Sequence, residues 1–243
     1  AGAVYASGRA MRTHGVYFCY TRRPSEGQLW LRRALETLQS VGAETELPSL
    51  GTFLGAVLWF TGHKAEALQV IEQARARLRG LREPITTAFM LETEGKIALD
   101  DGRPEDAERC LLEALRIWEA IGSPYQEADQ LHCLSMAYIV QDRWEEARLA
   151  TLEAARRWIL DSNFGGLCCT LNLLAHVLHH QGDDARARQV IAFAIDMEKE
   201  MNLALVETAV SHREAVSAEI GGEFSHNLLV TKEQAEALFE WIR

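Results

Sequence analysis

The sequence predicts an all-α protein: a right-handed superhelical solenoid of antiparallel helix hairpins, about six repeats long, with a C-terminal capping helix. Three observations predict it. Small residues recur every 40 positions, with Ala at 34, 74, 114, 154 and 194, and Gly, Ala, Ala, Ala and Ala at 27, 67, 107, 147 and 187. Turn formers keep the same period at Gly62, Gly102, Asp142 and Gly182. Between the turns, apolar residues fall at helical rather than strand spacing.

A further small column, Gly15, Gly55, Gly95, Ser135, Ala175 and Ala215, runs twelve positions before the Gly/Ala column, as expected where two helices meet backbone to backbone. The units fall at about 4–42, 43–82, 83–122, 123–162, 163–202 and 203–221, forming one array over 1–221, with a loop and capping helix over 222–243. In the first unit Pro24 opens the second helix, and Trp30, Leu31, Ala34 and Leu38 form its packing stripe. Val70, Ile71, Ala74 and Leu78 do the same in the second unit. Pro84 opens the third unit at the phase Pro124 takes in the fourth; Pro104, followed by acidic residues, starts its second helix, and the stripe is Leu111, Ala114, Leu115 and Trp118. Ser123, Pro124 and Gln126 read as N-cap, first helical residue and capping-box partner of the fourth unit. Trp30, Trp118 and Trp158 are placed on the packing stripe. Leu203 to Ile220 is the last periodic helix; Gly221 to Phe224 break the phase, and Ala235, Leu238, Phe239 and Ile242 share one side of a final amphipathic helix.

Composition narrows the function. At 243 residues, with 48% hydrophobic and 25% charged residues, the chain has the makeup of a folded globular protein. Its formal charge of −10 repels a phosphate backbone, so direct nucleic-acid binding is not expected. The most apolar stretch, Phe53 to Phe60, is far short of the roughly 18 to 20 residues that span a bilayer, so no membrane partner is expected. An odd set of five cysteines, Cys19, Cys110, Cys133, Cys168 and Cys169, with no CxxC spacing, reads as small apolar fillers in a reducing cytoplasm.

The small residue, the Gly/Ala twelve positions later and the Ala seven after that resemble the tetratricopeptide repeat (TPR) signature over about residues 8 to 220. The usual period of that family is shorter by six residues, so each unit here gains about a turn and a half of helix. The aromatic that often follows the small residue by three survives as Phe18 and Tyr138 but becomes Leu58, Ala98, Leu178 and Ala218. Units of this length resemble those in the sensor arms of MalT-type bacterial regulators. The resemblance implies a non-enzymatic scaffold whose concave groove, lined by the first helix of each hairpin, binds a protein or peptide segment. A small-molecule effector of a signalling or transcriptional regulator is the alternative.

Carried over by phase, Arg12, Thr52, Glu92, His132, Asn172 and His212 should line this groove, with Val16, Ala56, Lys96, Met136, His176 and Val216 beside them. One turn on lie Trp59, Phe60, Ile139, His179 and His180. The groove residues taken as the candidate site are therefore Trp59, Phe60, Glu92, Lys96, His132, Met136, Asn172, His176, His179, His180 and His212. Trp59 and Phe60 read as an aromatic shelf, and the histidines as hydrogen-bonding groups that titrate near neutrality.

His176 and His180, at i and i+4, could reach one metal, yet no acidic third ligand and no HExxH pattern accompanies them, so no metal or other cofactor is assigned. There is no GxSxG elbow, no GxxxxGK[ST] loop and no GxGxxG, so no catalytic residue is assigned either. Residues 221–243 are similar to the signature turn of diguanylate cyclases but lack one residue of its GG[DE]EF turn, and are read as a helix break and a cap.

Overall fold

The computed structural model describes residues 2–21, 23–201, 214 and 216–219. The expected capping helix and the Gly-Gly turn before it lie outside the described residues. Those described form ten α-helices, with no strand among them. In chain order these are α1 (Gly2–Tyr20), α2 (Pro24–Ser40), α3 (Leu47–Phe60), α4 (Lys64–Leu78), α5 (Pro84–Asp100), α6 (Pro104–Ile121), α7 (Pro124–Val140), α8 (Trp144–Leu160), α9 (Phe164–His180) and α10 (Asp184–Glu200).

The chain divides into two compact units, Ala1–Gly102 and Arg103–Arg243, at the turn between α5 and α6. In the first, α1 pairs with α2 and α3 with α4, while α3 also packs on α2 and α5. Its core joins Leu31, Leu38, Leu50, Leu54, Leu58, Ile71 and Ile97. In the second, α7 pairs with α8 and α9 with α10, and α6 and α8 pack on α7 and α9 respectively. Its core joins Leu167, Leu171, Leu174, Val190, Ile191 and Val216.

The 40-residue columns sit where the helices touch. Ala34, Ala74, Ala114, Ala154 and Ala194 are all at most 1% exposed, and Ala67, Ala107, Ala147 and Ala187 are wholly buried. The spacing is tight for a physical reason: a Cβ on Gly55 would stand 2.5 Å from the Ile71 side chain, and one on Gly15 would stand 2.6 Å from Leu31. At the same phase in the second unit, Ser135 sends its hydroxyl across the hairpin to the Ala147 carbonyl at 3.1 Å.

The α3–α4, α7–α8 and α9–α10 turns close by the same device. His63 N–H bonds the Leu58 carbonyl and Gly62 N–H the Trp59 carbonyl; Asp183 and Gly182 repeat this on Leu178 and His179. The geometry puts the turn residue at positive φ, 82° at Gly62 and 81° at Gly182, where glycine carries no Cβ penalty. Asp142 fills this place at φ 56°, and Ser162 ends α8 in the same way at φ 58°.

Pro24, Pro84, Pro104 and Pro124 stand in the first turn of their helices, as expected. The expected capping box of α7 is not formed: Ser123 is the N-cap residue, but its hydroxyl makes no cap bond. The side-chain caps belong instead to Asn163, which accepts from Gly166 N–H at 2.9 Å, and to Asp183, which accepts from Arg186 N–H at 3.1 Å. Trp118 and Trp158 are buried, whereas Trp30 is half-buried beside His14.

Candidate functional site

The candidate residues fall into two groups, one in each compact unit. In the first, Trp59 sits partly buried at the end of α3 against the apolar core, and its indole N–H donates to the Asp100 carboxylate at the end of α5. Phe60 next to it is 68% exposed. On α5, Lys96 donates to Glu92 at 2.8 Å, an i,i+4 pair with both side chains largely covered. Of the expected aromatic shelf, Phe60 is thus exposed and Trp59 half-buried, with its indole N–H tethered to Asp100.

In the second unit α7 and α9 lie side by side and carry four of the chain's eight histidines. They do not form a single cluster. His132 on α7 is half-buried, with Nδ1 3.0 Å from the Thr170 hydroxyl of α9; that hydroxyl also accepts from the buried Trp158 indole at 3.0 Å. Met136, one turn on, is half-buried. His176 and His180 turn to one partner, Trp144, the first residue of α8. The His180 ring stacks on the indole at a centroid distance of 3.6 Å and 9° between planes, and His176 meets it tilted at 5.8 Å.

His179 faces elsewhere. Its Nδ1 lies 2.7 Å from Asp184 at the start of α10, and its Nε2 lies 2.7 Å from Glu219. Hydrogen bonding to Asp184 first, and then to Glu219, raises the pKa of this imidazole above its ordinary value.

Asn172 corrects the assignment of its column to an open face. Its side chain is 0% exposed, and neither amide atom has a hydrogen-bond partner among the described residues. Thr52 and Val216, assigned to the same face, are buried as well. The reason is flanking: α9 has α7 on one side, and Val216 joins the core formed by Leu171 and Leu174. A first helix packed along both flanks keeps a narrower open stripe than helical phase alone allots. His212 lies outside the described residues.

Reading the sequence alone missed three participants. Trp144 opens a helix at the phase occupied by Pro24 and Pro104, an uncommon place for a large aromatic, and that was its available signal. Asp184 shares this phase, and Glu219 stands 40 residues after His179. Among the described residues no three His, Cys, Asp or Glu side chains converge as a metal set. Cys133 and Cys168 are buried, and burial pushes the Cys19 thiol up, which suits packing rather than reactivity. No described helix is long and apolar enough to cross a membrane.

No family model matches the chain, and no curated protein matches it. Solved structures do resemble it. One is a signal transduction ATPase with numerous domains (STAND) carrying a tetratricopeptide repeat sensor, from Pyrococcus horikoshii, at TM-score 0.68 and 14% identity; the match covers 98% of this chain and 36% of that one. Another is a putative kinesin light chain of nearly identical TPR-like repeats from Podospora anserina, at TM-score 0.62 and 12% identity, covering 80% of this chain and 95% of that one. The chain thus spans about a third of the archaeal ATPase. Together with the helix hairpins and their buried small-residue columns, these likenesses make the fold an all-α, TPR-like helical repeat.

Proposed function

We propose that this chain is a non-enzymatic interaction module, in which the open faces of α7 and α9 receive an extended peptide segment of another protein. One observation carries the reading: two imidazoles of α9 lie against a single indole, and His180 remains at the surface. Such a surface offers an apolar face to a side chain and polar ring edges to a backbone, a combination enriched at protein interfaces. The TPR-like repeat fold supports the same reading.

The test is selection of a displayed random 12-residue peptide library on the wild-type chain, followed by fluorescence anisotropy of the enriched peptides. Replacing His176 and His180 together by Ala is expected to weaken binding by about tenfold, equivalent to roughly 1.4 kcal/mol. Peptides that bind the variant equally well, or a selection that converges on no motif, would reject the proposal.

A second reading is a sensor arm of the MalT kind that takes a small effector. It is favoured by the likeness to a STAND ATPase that carries a repeat sensor. A thermal-shift screen of metabolites and sugars separates the two. A hit whose shift disappears in the His176, His180 double variant supports the sensor, and enriched peptides with no metabolite hit support the peptide module. A reducing cytoplasmic setting suits either, given an odd number of cysteines with no CxxC spacing.

A further inference from the structure

We propose that His179 is a pH-dependent clasp that holds the helical segment 216–219 against α9 and α10. The geometry is a three-way bridge. His179 belongs to the last turn of α9, Asp184 to the first turn of α10, and Glu219 to the segment 216–219, and each ring nitrogen lies 2.7 Å from one carboxylate. An ionised carboxylate only accepts hydrogen bonds, so both contacts are satisfied together only when both nitrogens carry protons. The neutral ring has one N–H and must leave one carboxylate facing a lone pair. Asp184 is joined to α10 by its own backbone, so Glu219 is the partner whose loss frees a segment.

The surrounding charges are otherwise engaged. Asp183 accepts from Arg186 and caps α10. Glu145 of α8 is bound by Arg148 and by Gln181. His180, the neighbouring titratable ring, stacks on Trp144. Val216 supplies the other hold, buried among the α9 and α10 core residues.

The size of the effect decides where it would show. Glu219 is mostly exposed, so the bridge is a surface ion pair and contributes little to global unfolding. Local openings of a segment cost far less than global unfolding, and there a small change is a visible fraction. The two carboxylates favour the charged ring, so the contribution of the clasp is fully present below about pH 6.5 and is lost as pH rises through the elevated folded value.

The experiment is hydrogen exchange by mass spectrometry on the full chain between pH 6 and 8, corrected for the intrinsic pH dependence of exchange, reading the peptide that contains 216–219. Wild type is expected to lose protection by about two- to fivefold as pH rises, the range of a surface ion pair. His179→Gln and Glu219→Gln should each be flat, and His180→Gln should keep the pH dependence of the wild type. A flat wild type, a persisting pH dependence in either of the first two variants, or its loss in His180→Gln would overturn the proposal.

Discussion

His180 lies flat on Trp144, with centroids 3.6 Å apart and planes within 9°. The contact links the end of one hairpin helix to the beginning of another, and it belongs to the surface rather than the core. An aromatic pair of this kind adds about 0.5 to 1.5 kcal/mol beyond its buried area. A double-mutant cycle of Trp144→Ala and His180→Ala, read by urea denaturation, should return a coupling energy in that range. A coupling near zero would mean that the stack is not maintained in solution.

The small-residue columns make a stronger demand. Gly55→Ala should gain about 1 kcal/mol of helix propensity, yet its Cβ would lie 2.5 Å from Ile71. Overpacking of a tight core contact costs roughly 1 to 3 kcal/mol, so the net change is expected to be destabilising. Combining it with Ile71→Ala should cost less than the sum of the two, because the second change removes the atoms that collide. Additive losses would place the glycine away from this contact.

Turn strain can be relieved instead. Ser162 holds φ 58°, a conformation that costs a non-glycine residue roughly 1 to 2 kcal/mol. Ser162→Gly should therefore raise stability, by somewhat under 1 kcal/mol once the greater freedom of glycine in the unfolded chain is counted. Thermal unfolding of the variant checks the sign.

Asn172 is a buried amide with no partner among the described residues, a situation that costs about 1 to 3 kcal/mol. Asn172→Leu replaces both amide atoms with methyl groups of the same branching and should stabilise the fold by about that amount, as a rise in the urea midpoint at constant slope. If the variant is less stable, the amide is satisfied in the solution structure.

These residues show what could be read in advance. The repeat, the hairpins and the buried alanine columns were legible, because a fixed period of small side chains is a direct record of where helices press together. Pro24 and Gly62 likewise announced a helix start and a turn through backbone chemistry that no neighbour changes. Ser123 showed the limit of that logic: a hydroxyl at a cap position need not be the hydrogen-bonding cap, and Asn163 and Asp183 were.

The candidate site was legible only as a phase. Helical periodicity placed His132, Asn172, His176, His179 and His180 on neighbouring turns of first helices, and this depends on the sequence alone. Which of them meet is a tertiary matter. The structure buries Asn172, bonds His132 to Thr170, turns His176 and His180 to Trp144 and sets His179 between Asp184 and Glu219. The sequence determined the helices, their hairpin pairing and the positions that must stay small, since those follow from local geometry and a repeated steric limit. The partners of each polar side chain were decided only when helices distant in the chain packed together, because a rotation of a few tens of degrees separates an open groove position from a closed one.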